Sequence, residues 1–233
     1  MTMSLLLLSS LAALRCPGVS SRGETVVLIH GLGRTSLSMK RVQWTLERNG
    51  YGVVNNSYAS TGISLEDAAN YWLPQILSRQ ECRQASRVHF VTHSAGGIVL
   101  RCYLQNHSVE NLGRVVMLAP PNRGSELADR LKNRWLYKFV TGRAGQELGT
   151  EGPSLPLRLP AANFELGIIA GDRSLNPLFS SCIPDSNDGK VSVRRAAVEG
   201  MSAFKVVHGT HTWIMWRADV NQATLRFLAG GQL

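Results

Sequence analysis

Several things are missing from this sequence, and each absence removes a class of function. No stretch approaches the roughly 18 consecutive apolar residues that cross a bilayer, so the body of the chain is not read as membrane-spanning. Cys16, Cys82, Cys102 and Cys182 have no C-x-x-C spacing, which argues against a zinc site or a thioredoxin-like pair. If the chain is exported, Cys82 could pair with Cys102 or Cys182; buried free thiols are the preferred reading. The turn His30–Arg34 has no third glycine and no Gly-Lys-Ser or Gly-Lys-Thr after it, so neither a dinucleotide nor a phosphate loop is present. No repeat or low-complexity linker divides the chain. Acidic residues are few, 16 against 25 Lys and Arg, for a net charge of +9 that favours anionic surfaces. The basic residues are scattered, without a helix-turn-helix, zinc or RNA-binding signature, so nucleic acid is not an expected partner.

What is present suits one sizeable α/β domain: 233 residues, 44% hydrophobic and 18% charged. Residues 1–23 stand apart. An apolar stretch from Leu5 to Leu14 followed by small residues fits a secretory signal without its basic start, a transit peptide, or a disordered terminus. Localisation follows that choice: exported or organelle-targeted with a signal, cytoplasmic without one.

From residue 24 to 233, short apolar runs alternate with segments of helical spacing, the pattern of a mostly parallel sheet with helices on both faces. Strands are predicted at Thr25–His30, Tyr51–Asn55, Val88–Thr92, Val115–Ala119, Leu166–Ala170 and Phe204–Val207. Helices are predicted at Leu37–Arg48, Leu65–Arg79 after a Ser64 cap, Gly96–Asn106 and Val220–Leu228. Ligands in such folds sit beyond the carboxyl ends of the strands.

One serine occupies such a place. In VTHSAGGIVL, Val91–Leu100, Ser94 lies on a sharp strand-to-helix turn, where the first N–H groups of the helix point towards an oxyanion. Gly96 fits the usual glycine pattern of this elbow, whereas Thr92 puts a branched side chain where a glycine is expected. In HGLGR, the turn after the first strand can direct backbone N–H groups at the same oxygen, with Leu32 as donor beside Ala95. A plain turn using Gly31 and Gly33 for positive φ is the blander reading.

A serine hydroxyl needs a base with an orienting carboxylate. Of six histidines, His30 and His93 sit in turn motifs, His89 in a strand and His107 at a helix end, which leaves His208 and His211 in VVHGTHTWIM. His211 is preferred. Asp172, Asp185 and Asp188 compete for the carboxylate role. The order Ser94, Asp188, His211 matches the Ser, acid, His order of one known arrangement, and Asp172 stays open as the alternative acid.

Taken together, HGLGR, THSAGG, LAPPNRGSELAD, NDGKVSV and THTWIM resemble, in order, the motifs of the lipase and carboxylesterase-like branch of the α/β-hydrolase superfamily, over about Thr25 to Phe227. The resemblance implies that fold, Ser94 as nucleophile, Asp188 as acid, His211 as base, and the N–H groups of Leu32 and Ala95 as oxyanion hole. It implies ester cleavage through an acyl-enzyme, with no cofactor or metal, on a small-molecule or lipid ester. Thr92 departs from the pattern, as does Asn122, where many lipases of this branch have His. A thioesterase or acyltransferase on the same fold, or a non-catalytic relative binding a membrane or partner, are the alternatives.

Residues 122–162 exceed a simple connection and are expected to form a cap. Leu127, Leu131, Trp135 and Phe139 recur every four residues between Arg130, Lys132, Arg134 and Lys138. The preferred reading packs this stripe on the core with a solvated basic face; a lid meeting a lipid surface is the other. Gly145 to Pro160 reads as an irregular loop.

Overall fold

The computed structural model describes residues 20–181 and 183–233; the apolar leader, Cys16 and Cys182 lie outside the described residues. Six strands form one sheet: β1 (Glu24–Ile29), β2 (Gly52–Asn55), β3 (Arg87–His93), β4 (Leu112–Leu118), β5 (Leu166–Gly171) and β6 (Ala203–Val207). Every pairing is parallel, in the order β2-β1-β3-β4-β5-β6. A parallel sheet is covered on both faces, which is why these strands read as unbroken apolar runs.

Alternation along the strands divides the core in two. Val26, Leu28, Val91, Val116, Leu118 and Ile169 face α1 (Lys40–Arg48) and the carboxy-terminal helix Ala218–Gly230, whose Phe227 is fully buried. Gly167 leaves the room for that ring, since a Cβ there would lie 2.9 Å from it. Val27, Ile29, Phe90, Val115, Met117 and Ile168 face the opposite layer, formed by the helical segment 65–77 and by α2 (Ala95–Asn106). Cys82 and Cys102 are free, buried thiols.

Two predicted elements differ in detail. The helix expected over Leu65–Arg79 starts under a Ser64 cap, whose Oγ accepts from the Asp67 N–H at 2.9 Å. It then widens into a π-helical turn, Ala68–Trp72, before resuming at Leu73–Leu77. Pro74 has no N–H for the regular ladder, and the Leu73 N–H bonds instead to the Ala68 carbonyl. β4 begins three residues earlier than its apolar run suggests, because Gly113 lets the His89 ring lie where a Cβ would be.

The connection from β4 to β5 crosses the carboxyl edge of the sheet. It contains α3 (Glu126–Leu131) and α4 (Trp135–Gln146), and a short helix, Leu155–Arg158, stands within the expected irregular loop. The expected apolar stripe does not pack as one surface. Leu127 is buried, but the helix stops after Leu131 and α4 starts in a new phase, leaving Trp135, Leu136, Phe139 and Val140 exposed, Phe139 by 82%. A spacing of four persists in the sequence across a break that resets the helix. Tyr137 turns inward instead. At Gly142 the φ of 59° kinks α4 where it meets the Thr61 backbone, too closely for a Cβ.

Both ends of this connection are tied to α2 by one side chain. Buried Arg101 donates to the Asn122 backbone oxygen (3.0 Å) and Oδ1 (3.2 Å), and to the carbonyls of Leu159 (3.2 Å) and Pro160 (2.9 Å). No carboxylate faces it among the described residues, and burial lowers its pKa to about 10. Arg101→Ala leaves these acceptors without a charged donor, and a loss of about 2–4 kcal/mol is expected. Urea unfolding checks this: the midpoint should fall at unchanged slope, and an unaltered midpoint would deny Arg101 the role.

Candidate active site

Ser94 sits between the last residue of β3 and the first of α2, at φ 52° and ψ −127°. Such a conformation is costly for a residue with a Cβ and persists only where the surroundings fix it. They do so here. The Ser94 N–H donates to the Leu118 carbonyl at 2.9 Å, and the start of α2 is pressed onto the end of β1, where a Cβ on Gly96 would lie 2.5 Å from the Ile29 oxygen. Thr92, which broke the expected glycine pattern, is fully buried. Its space comes from Gly97, whose Cβ would come within 3.2 Å of Thr92 Oγ1. A second glycine thus makes the room that the first normally leaves.

The structure brings Ser94, His211 and Asp188 into one row. His211 Nε2 lies 2.9 Å from Ser94 Oγ, and His211 Nδ1 lies 2.8 Å from Asp188 Oδ2. A carboxylate only accepts, so Nδ1 carries the hydrogen and the Nε2 lone pair faces the serine hydroxyl. Asp188 Oδ1 accepts from the N–H groups of Lys190 (2.9 Å) and Val191 (2.8 Å), and the His211 N–H donates to the Asp188 carbonyl at 3.0 Å. Asp188 and His211 are buried while Ser94 is half-buried, so only the serine end of the row meets incoming molecules.

The unchosen residues form a pair of their own. His208 Nδ1 lies 3.0 Å from Asp172 Oδ1 with the His208 side chain 71% exposed, away from Ser94; Asp185 pairs with Arg194 at 2.9 Å. Ala95, as the first residue of α2, has an N–H with no carbonyl behind it in the helix. Leu32 lies in a loop pressed against the serine, for a Cβ on Gly31 would be 3.0 Å from Ser94 Cβ.

Two histidines set aside from the sequence hold this geometry. His30 is buried and stacked on Tyr58, with ring centroids 4.4 Å apart. Its Nδ1–H donates to the Gly31 carbonyl (2.9 Å) and its Nε2 accepts from the Tyr58 N–H (3.2 Å), which fixes the loop carrying Leu32. His93 Nε2 donates to the His211 carbonyl at 3.0 Å and so anchors the histidine loop to the serine turn. Burial holds both well able to stay neutral: desolvation lowers the pKa of His30, and that of His93 more strongly, helped by the nearby His211. Their one sequence signal was position, directly before Gly31 and before Ser94. Among the described residues, no three His, Cys, Asp or Glu side chains gather as a metal site.

Known proteins resemble this chain in sequence and in fold. The profile of the family described as palmitoyl protein thioesterase matches residues 25–149, which include Leu32 and Ser94 and stop before Asp188 and His211. A triacylglycerol lipase of Pseudomonas fragi is 34% identical over 100 residues, 40% of this chain and 32% of that one, so the match spans about a third of the relative's length. In three dimensions, a lipase of Bacillus licheniformis, BlEst2 in its mature form, superposes with a TM-score of 0.70 at 18% identity, covering 92% of this chain and 94% of its own. A metagenomic carboxyl esterase, MGS0156, gives 0.69 at 21% identity, covering 84% and 67%. These likenesses establish the α/β-hydrolase fold expected from the motifs.

The buried histidines set a pH dependence. A depressed pKa in the folded state means that the unfolded chain binds protons which the folded chain refuses, so stability is present above the unfolded value of 6.5 and is lost as pH falls below it. Each such histidine contributes a slope of up to about 1.4 kcal/mol per pH unit. His93→Gln should flatten the decline in urea midpoint between pH 7 and 5; an identical slope in the variant would refute the assignment.

Proposed function

As the chain belongs to the palmitoyl protein thioesterase family of the α/β-hydrolase superfamily, we propose that it is a serine hydrolase of carboxylic esters, thioesters among them. The observation that carries this reading is the row from Asp188 through His211 to Ser94, at 2.8 and 2.9 Å.

In the proposed reaction, Ser94 Oγ attacks the acyl carbonyl as His211 Nε2 takes its proton. The carbonyl oxygen gains the charge and is met by the Leu32 and Ala95 N–H groups. The imidazolium, steadied by Asp188, gives its proton to the departing alkoxide or thiolate, leaving the acyl group on Ser94. Water, deprotonated by the same ring, then attacks the acyl-enzyme and releases the acid. An acyl acceptor other than water would make the same intermediate a transferase step. Asp188 as the acid is supported by its 2.8 Å distance to His211, whereas Asp172 lies 3.0 Å from His208.

The connection at residues 122–162 is proposed as the cap, with α4 as the part that meets lipid. Trp135, Leu136, Phe139 and Val140 are exposed on it, flanked by Arg134 and Lys138, a combination suited to an anionic membrane surface.

Ser94→Ala should reduce p-nitrophenyl ester cleavage by about a millionfold in a folded protein and abolish labelling by a fluorophosphonate probe; native-rate turnover would remove the nucleophile. Asp188→Asn should lower kcat by about three to four orders of magnitude, whereas Asp172→Asn should leave it near wild type; the reverse result would exchange the acids. Trp135→Ala with Phe139→Ala should weaken co-sedimentation with vesicles containing phosphatidylglycerol, and equal sedimentation would discard α4 as the contact.

A further inference from the structure

Several cations are held by carboxylates, among them Arg114 by Glu165, Arg158 by Glu66 and Arg217 by Asp219. Two on the loops that carry Leu32 and Asp188 are not. Arg34 closes the turn that carries Leu32, its N–H donating to the Gly31 carbonyl at 3.2 Å. Lys190 follows Asp188 by two residues; its N–H is on Asp188 Oδ1, and its carbonyl accepts from Ser125 Oγ at 2.6 Å, where the acid loop meets the start of α3. Neither side chain makes a hydrogen bond or ion pair among the described residues.

The nearest carboxylate cannot neutralise them fully. Both oxygens of Asp188 are committed, one to His211 and the other to two backbone N–H groups. The two cations feel each other: crowding of the Lys190 ammonium by protein lowers its pKa, and the charge of Arg34 lowers it further against the pull of Asp188. The charges of both also lower the pKa of His93, whose ring centroid lies 5.1 Å from that of His211. Two like charges, one on each loop bordering the serine, form a place where an anion relieves repulsion that the folded chain otherwise bears.

We propose that Arg34 and Lys190 form an anion subsite beside Ser94, which selects esters or thioesters carrying a phosphate group near the scissile bond. The proposal rests on the hydrolase reading above. The phosphate is either that of a soluble thioester or that of a lipid headgroup, and two matched substrate pairs separate these sources. One pair is octanoyl-coenzyme A against S-octanoyl-N-acetylcysteamine; the other is phosphatidylglycerol against diacylglycerol in mixed micelles.

In low salt, kcat/KM should favour the phosphate-bearing member of at least one pair by about tenfold or more, and this ratio should shrink as ionic strength approaches about 0.5 M. The double variant Arg34→Gln, Lys190→Gln should bring the ratio to within about twofold of unity, while the double control Arg41→Gln, Arg226→Gln, which removes an equal charge from the exposed sides of α1 and the carboxy-terminal helix, should preserve it. A wild-type ratio near unity for both pairs, or a preference that survives the double variant, overturns the subsite. Cleavage of p-nitrophenyl octanoate keeps the two ideas apart: turnover of that ester without a phosphate preference defeats the subsite alone. Absence of both turnover and fluorophosphonate labelling defeats the hydrolase reading and the subsite with it.

Discussion

A strand cannot enter a helix through one residue without an unusual backbone there, and in this protein that residue is Ser94. Everything around the site follows from making that turn tolerable. Gly96 lets α2 touch the end of β1, Gly97 accommodates Thr92, and the Leu118 carbonyl holds the serine N–H. The conformation sets the hydroxyl at the carboxyl edge of the sheet, beside the first amides of α2. The hydrogen-bonded row to Asp188 would be of no use beside a serine lying back in a regular helix.

The loops that converge on this turn are held to one another as well as to the sheet. His93 reaches the His211 backbone, His30 ties the Leu32 loop to Tyr58, and the Asp188 carbonyl takes the His211 N–H. A site assembled from four segments distant in sequence therefore behaves as one piece, and small, buried, neutral histidines do much of the fastening. Neutrality matters: a proton on His93 would place a positive charge beside the His211 ring, whose centroid is 5.1 Å away.

The strands were legible because two-sided burial writes itself as apolar runs, and the serine because its turn needs small neighbours at fixed offsets. The pairing of His211 with Asp188, and of His208 with Asp172, was only partly legible. Asp172 directly follows β5 while Asp188 lies in the loop beyond it, and nothing local distinguishes a carboxylate that meets His211 from one that meets His208. The stripe from Leu127 to Phe139 misled for a related reason: regular spacing says nothing about a break at Asn133 and Arg134, which turns Trp135 and Phe139 outward. Arg101 gave no signal, since a single arginine in an apolar helix has no partner motif; its acceptors are carbonyls that any sequence would supply.

That choice of acceptors has a consequence for how the molecule responds to its surroundings. Carbonyl dipoles neither titrate nor dissociate, and a buried guanidinium stays protonated throughout the neutral range, so the anchoring of the β4–β5 connection is insensitive to acidity and to dissolved electrolyte. The basic residues along α4 face water and are screened freely. Dissolved electrolyte can thus weaken the field along α4 while the tie between α2 and both ends of the β4–β5 connection stays as it is, so two parts of one segment answer differently to the same change.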